Sequence, residues 1–229
     1  MSDFLSKLKD MRHGLFYGAL LRRASLLTLG DKEMLCAWTL CPDGLSDHSV
    51  IYSGGVGRDV TFEHGLVKQF GCNVVLFDPS PTGLETMSLP ENKIPQFKFC
   101  PVGLAGSCAK LTFASPLRAV EGSWYMQSST AATIEMPCVD LRTLMRQNGH
   151  ERIDLLKIDI EGAEYDVIDD MLRRRLRVRQ VLVEFHHGHG NLPNIRRSHT
   201  IRTILKMVAA GYRLLNQVGG DHTFLNPKI

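Results

Sequence analysis

VIYSGGVGRDVTFE, residues 50–63, begins as a short apolar strand at Val50, Ile51 and Tyr52, turns at Gly54, Gly55 and Gly57, and runs on into a helical pattern. Glycines at such a turn let backbone N–H groups approach a ligand with no Cβ in the way, and the helix that follows presents its positive N-terminus. In an open α/β sheet this loop lies at the carboxyl end of its strand, where nucleotides bind. The third glycine of G-x-G-x-x-G is missing, because position 60, counted from Gly55, is Val60. The loop therefore points to a nucleotide cofactor while leaving dinucleotide enzymes and methyltransferases both open.

Outward from the loop, apolar runs of strand length alternate with helical patterns, which predicts a mostly parallel sheet covered on both faces. Strands are expected at 49–53, 73–77, 97–102, 153–158 and 180–185, and helices at about 58–70, 81–89, 139–148, 162–173 and 195–210. Residues 109–114 and 132–138 alternate polar and apolar side chains as half-buried strands do. The loop between them, SPLRAVEGSWYMQSST, carries Trp124 and Tyr125 and reads either as a substrate lid or as a disordered connection. After a last helix, two strand-like runs flank Val218-Gly219-Gly220-Asp221, a hairpin signal. Residues 1–45 lack the alternation and read as an N-terminal helical extension, leaving 46–229 as the cofactor-binding domain.

Asp78 ends the second strand run, NVVLFD, about 20 positions after the glycine turn, the distance at which a strand-tip carboxylate meets the ribose hydroxyls of an adenosine cofactor. Farther on, LLKIDIEGAEYDVI (155–168) sets Asp159 and Glu161 just past another strand, with Gly162 permitting a sharp turn. Both acids would point into the crevice holding the cofactor's reactive end. Glu164 and Asp166 read instead as acids offsetting the dipole of the next helix.

The bulk numbers narrow the class. The 229 residues suit one α/β domain, and 44% hydrophobic with 22% charged residues is ordinary globular composition. A formal charge of +3 is too small to imply nucleic acid, and the run RRRLRVR (Arg173, Arg174, Arg175, Arg177, Arg179) reads as a solvated helix end. The six cysteines form no Cys-x-x-Cys pair and no zinc spacing, so reduced thiols in a cytoplasmic protein are expected. HGLFYGALL follows Lys7, Lys9 and Arg12 but falls far short of the ~20 apolar residues of a membrane span.

Five ordered segments, SGGVGRDVTFE, VVLFDPSP, PVGL, KIDIEGAEYDVI and LVEFHH, resemble the FkbM-type family of S-adenosylmethionine-dependent methyltransferases over roughly residues 34 to 226. The resemblance implies a Rossmann-like class I methyltransferase fold: a seven-stranded, mostly parallel sheet whose C-terminal antiparallel hairpin inserts the last strand, with helices on both faces. It implies that Ser53, Gly54, Gly55 and Gly57 wrap the methionine part of S-adenosylmethionine. Recognition of its amino group shifts to Asp59 or Glu63, because Tyr52-Ser53 stands where many class I enzymes have an acid. By the same resemblance Asp78 binds the ribose, Pro79 and Ser80 lie beside the adenine, Val102, Gly103 and Leu104 border its ring, and Asp159 closes the pocket.

A hydroxyl acceptor must lose its proton during methyl transfer, so a base is needed. Asp159, Glu161, Glu184, His186 and His187 are the candidates. Alternation along a strand places Glu184 and His186 on one side, with Phe185 and His187 on the other. His186 with Glu161 or Asp159 is the expected catalytic set, since histidine titrates closest to neutrality. A divalent metal held by Asp159, Glu161, Glu184 and the HHGHG run is chemically conceivable, but no metal is assigned, and His187 and His189 read as a surface loop. The expected activity is O-methylation of a sugar-containing or other small hydroxylated acceptor, with no membrane partner and a homo-oligomer left open. The rivals are an NAD(P)-dependent oxidoreductase and a non-catalytic module with the same fold.

Overall fold

A computed structural model describes residues 14–33, 36–115, 124–126, 133–188, 192 and 194–229. In chain order its elements are helix α1 (14–20), strands β1 (Leu27–Leu29), β2 (Trp38–Leu40) and β3 (Val50–Gly54), helix α2 (Thr61–Phe70), β4 (Asn73–Phe77), α3 (Pro81–Ser88) and β5 (Phe97–Cys100). There follow β6 (Gly103–Leu104), β7 (Ala109–Ala114), β8 (Tyr125–Met126), β9 (Thr133–Val139), α4 (Leu141–Asn148), β10 (Ile153–Ile158) and α5 (Glu164–Arg173). The chain closes with β11 (Val178–Glu184), α6 (Arg197–Ala209), β12 (Arg213–Val218) and β13 (Asp221–Leu225).

The main sheet has seven strands in the order β12-β13-β11-β10-β3-β4-β5. Strands β5, β4, β3, β10 and β11 pair in parallel, while β13 lies antiparallel between β11 and β12. This is the class I methyltransferase arrangement, and the Gly219-Gly220 turn supplies its final hairpin. The period of two along each strand divides the core into two layers. Tyr52, Val75, Phe77, Leu156, Val181 and Val183 point to one face, where α4, α5 and α6 contribute Leu144, Ile168 and Met207. Ile51, Val74, Leu76, Leu155 and Leu182 point to the other, under Phe62 and Leu66 of α2 and Met87 of α3. Helices do cover both faces. A smaller sheet, β6-β9-β7-β8, stands beside the main one.

The N-terminal segment departs from the helical extension expected over 1–45. Among its described residues only 14–20 are helical, and β1 and β2 form an antiparallel pair. Runs as short as LTL and WTL carry too few residues to show a strand period, which is why the sequence hid them. Tyr17 of α1 packs on the α4–α6 side and its hydroxyl meets His222 Nε2 at 2.8 Å. Leu21 then bridges the edge strand β12 at Leu214, and Trp38 and Leu40 join the opposite layer. The segment thus wraps the sheet's free edge, which would otherwise expose unpaired backbone groups.

Gln180 fastens that wrap. It is fully buried on β11, accepts from Cys41 N–H at 2.6 Å and donates to Cys41 C=O at 3.0 Å. Leucine there would strand a buried donor and acceptor at roughly 1–3 kcal/mol. Gln180→Leu is therefore expected to lower the unfolding free energy from urea titration by that amount while the circular dichroism of the native state is unchanged; an unaltered free energy would show that the Cys41 contacts are dispensable.

Candidate active site

The carboxyl ends of β4, β3, β10 and β11 and the start of β13 open into one cleft of about 300 Å³. Its lining runs from the Gly55–Asp59 loop through Asp78, Pro79 and Ser80 to Asp159, Ile160, Glu161, Glu184 and Asp221. Phe113, Trp124 and Met136 of the smaller sheet wall one side, and Cys36 and Trp38 of the N-terminal segment another. Trp124 Nε1 donates to Thr82 Oγ1 at 3.3 Å. The rest of the lid expected between β7 and β9 falls, apart from Ser115 and the strand residues Tyr125 and Met126, on residues outside those described.

Gly55 sets the cleft's floor. It has φ +85°, and a Cβ on it would lie 1.8 Å from the carbonyl oxygen of Asp159. That contact brings the glycine loop against the acid-bearing loop, and Asp159 N–H donates to Gly54 C=O at 3.0 Å. A Cβ on Gly57 (φ +58°) would meet nothing within 4 Å, so the loop turns a bare backbone toward the cleft. Asp78 braces the same loop: its Oδ2 accepts from Val56 N–H at 2.9 Å and Gly57 N–H at 3.0 Å, and its Oδ1 accepts from Ser80 N–H at 2.8 Å. Each carboxylate oxygen has two acceptor sites. Oδ2 is saturated and Oδ1 keeps one site for a ligand hydroxyl. Ser80 also caps α3, accepting from Gly83 N–H at 3.0 Å.

Beneath the loop lies a polar knot that the sequence reading missed. Lys157 is 5% exposed, and its Nζ donates to Gly55 C=O at 2.5 Å, lies 4.0 Å from Glu63 Oε1 and sits 5.3 Å from the Trp38 ring centroid. Ser53 Oγ donates to the same Glu63 oxygen at 2.5 Å. A lysine inside the otherwise apolar run IDLLKI was the available signal, because a buried ammonium needs partners. Asp59 accepts from Thr61 N–H at 2.9 Å at the start of α2 and also borders the cleft. Gly103 and Leu104 line it as expected, whereas Val102 packs against the α4–α6 core instead. The cause is the short crossing from β5 to β6, which turns Val102 away.

The catalytic set expected from sequence is brought together. Glu161 adopts φ +52°, turning the chain so that its Oε2 lies 3.3 Å from His186 Nε2. Asp159 Oδ1 stands 3.7 Å and Glu184 Oε1 3.9 Å from the same nitrogen. Glu164 is fully buried; its Oε1 accepts from His186 N–H at 2.9 Å and lies 3.2 Å from Nδ1, and its Oε2 accepts from Gly162 N–H at 2.8 Å. The acid read as a helix-dipole partner is thus the hub joining the β10 turn to the end of β11. Burial disfavours a charged His186, but the Glu164 hydrogen bond and the charges of Glu161, Glu164 and Asp159 outweigh it and push the ring up to about 10. His186 also stands behind the cleft lining. Near neutrality an imidazolium held this way has no lone pair to receive a proton, which weighs against His186 as the base.

Other groups fall where strand alternation puts them. Phe185 stacks near Tyr165, and His187 Nδ1 meets Thr200 Oγ1 at 2.9 Å on the far side; His189 lies outside the described residues. Arg173 and Arg174 pair with Asp170 at the end of α5, as a solvated helix end would. All six cysteines are free thiols, and burial with the charge of Asp59 pushes Cys36 up to about 11, so it lines the cleft uncharged. Asp159, Glu184 and His186 bring one donor atom each within 4.8 Å of one another.

A histidine whose folded pKa exceeds its unfolded value near 6.5 adds stability that is complete below about pH 6.5 and is lost as pH rises toward about 10. Ring-nitrogen NMR at pH 8 is expected to report His186 charged, and at pH 6 to report His222 neutral, since burial lowers the latter to about 4. A neutral His186 at pH 8 would refute the carboxylate-held imidazolium.

Comparison with known proteins bears on the same residues. The model of the methyltransferase FkbM domain matches residues 51–214. No curated protein sequence matches the chain. Among solved structures, Aeropyrum pernix fibrillarin in complex with natively bound S-adenosyl-L-methionine aligns with TM-score 0.45 and 10% identity over 79% of this chain and 66% of its own, just under two thirds. An rRNA methylase from Streptococcus thermophilus aligns with TM-score 0.45 and 14% identity over 80% and 89% of the two chains. The N-methyltransferase NodS from Bradyrhizobium japonicum WM9 gives TM-score 0.41 and 11% identity over 78% and 86%. Likenesses at these scores decide nothing about this chain's own reaction.

Proposed function

The chain belongs to the methyltransferase FkbM domain family, and from that premise we propose that it binds S-adenosylmethionine in the cleft and methylates a hydroxyl of a sugar-containing or other small acceptor. The observation that carries the reading is the glycine loop braced by Asp78, whose bare backbone and one remaining Asp78 acceptor site fit a nucleoside with a polar tail. When bound, the cofactor supplies a methyl group on a sulfonium, which an oxygen nucleophile can take.

The chain's own residues do the rest. Asp78 Oδ1 accepts a ribose hydroxyl, with Pro79, Ser80, Gly103 and Leu104 along the base. The Gly55–Gly57 turn, its N–H groups given to Phe77 and Asp78 and its Gly55 carbonyl held from below by Lys157, offers a surface free of side chains along which the amino-acid portion lies beside Asp59 and Glu63. Phe113, Trp124 and Met136 exclude water from one wall, and Asp159, Glu161, Glu184 and Asp221 edge the side left for the acceptor. Alignment of oxygen, methyl and sulfur in one line supplies most of the rate in such displacements. Acidic side chains at that edge support a hydroxyl acceptor, whose proton they can take. Free thiols suit a reducing cytoplasmic setting.

Calorimetric titration with S-adenosylmethionine, S-adenosylhomocysteine and NAD is expected to show binding of the first two and none of the third. Asp78→Asn is expected to weaken S-adenosylmethionine at least about tenfold, the effect of removing one charge-assisted hydrogen bond, with the protein still folded. Binding of NAD alone would overturn the reading, and an unchanged affinity in Asp78→Asn would remove the ribose contact.

A further inference from the structure

Glu184 and Asp221 stand opposite each other in the register of β11 and β13, and both line the cleft. Like charges directly opposed on antiparallel strands repel. The pairing is close enough here for the Asp221 charge to act on Glu184. Asp159 and Glu161 face Glu184 from the end of β10, His186 from its own strand and Asp221 from β13, while Lys157 acts on Asp221. Among the described residues, His186 pairs with Glu184 at 3.9 Å but lies closer to Glu161 and Glu164. Burial and the charge of Asp159, with those of Asp221 and Glu161, outweigh His186 and hold Glu184 up at about 8. Burial and Asp159 likewise hold Asp221 up at about 6.

The strand order fixes where this pair sits relative to a bound cofactor. Strands lie about 4.8 Å apart, so Asp78 after β4 and Glu184 at the end of β11, with β3 and β10 between them, are separated by roughly 14 Å across the sheet. A nucleoside on Asp78 and an amino-acid portion over the Gly55 turn bring the reactive sulfur toward the β10 end, with β11 and β13 beyond it.

Resting on the cofactor reading above, we propose that Glu184 is the proton acceptor of methyl transfer, ionised by the sulfonium charge and tuned by its cross-strand partner Asp221. The acceptor oxygen bonds to the methyl carbon as the methyl–sulfur bond breaks, the bonding pair stays on sulfur, and the hydroxyl proton passes to a Glu184 carboxylate oxygen. A sulfonium and a carboxylate become a thioether and a carboxylic acid, so charge and atoms balance. The step that consumes the positive charge also restores the surroundings in which Glu184 holds a proton.

The test needs no acceptor. Affinities of the full chain for S-adenosylmethionine and S-adenosylhomocysteine are measured by calorimetry from pH 6 to pH 8, in buffers of different ionisation enthalpy. In the wild type the affinity ratio of sulfonium to thioether is expected to rise about tenfold, with proton release on binding only the sulfonium form. Glu184→Gln is expected to flatten the rise, and Asp221→Asn to move it to lower pH by removing a like charge. Parallel profiles for both ligands in the wild type, or a rise that survives Glu184→Gln, would overturn the assignment. An unmoved rise in Asp221→Asn would remove Asp221 from it, and failure of both ligands to bind would bring down the cofactor reading with it.

Discussion

Gly55 and the carbonyl of Asp159 approach more closely than any side chain on residue 55 would allow. This backbone contact extends the pairing of β3 with β10 past the ends of both strands, and the cleft is built around it. The glycine loop and the loop that carries the acids become one rigid floor. Asp78 locks the floor from the β4 side through two loop N–H groups, and Lys157 locks it from below through the Gly55 carbonyl. A loop held from three directions keeps its shape without a ligand, which reduces the ordering cost of binding.

The electrostatics follow from the same floor. Bringing the ends of β10, β11 and β13 together concentrates Asp159, Glu161, Glu184 and Asp221 in a partly buried space. Such a cluster would resist folding if every member were charged. Two cations and shared protons relieve it: Lys157 answers Glu63 and the loop, and His186 is surrounded by carboxylates on the other side. Glu164, with no exposure and three donors, orients that imidazole and ties β11 to the Gly162 turn. Burial raises the Glu184 carboxyl and surrounding carboxylates raise the His186 imidazole, so both are moved away from their ordinary ranges.

Local sequence carried much of this architecture. Period-two runs, the glycine turn, Asp78 at a strand tip and the Gly219-Gly220 hairpin each announce their own structure through neighbours a few residues away, and the sheet and most of the cleft lining stand where they point. Gly55, Asp59, Glu63, Asp78 and Glu161 line one space, as the order of the strands requires, while Ser53 lies buried beneath it on Glu63. The N-terminal hairpin was illegible, since three-residue strands have no readable period and depend on Gln180 and Thr223, far along the chain, for their hydrogen bonds. Trp38, Phe113 and Met136 enter the cleft through pairings that no local pattern encodes.

The sequence by itself determined the fold class, the loop that faces a nucleotide and the inventory of acids, because those rest on periodicity and backbone freedom, which are local properties. Tertiary structure alone decided which acids are gathered and partly buried together, that His186 is ringed by carboxylates behind the cleft, and that Lys157 holds the loop. Protonation depends on burial and on charges brought within a few ångströms by the crossing of distant strands, and a sequence does not contain those distances.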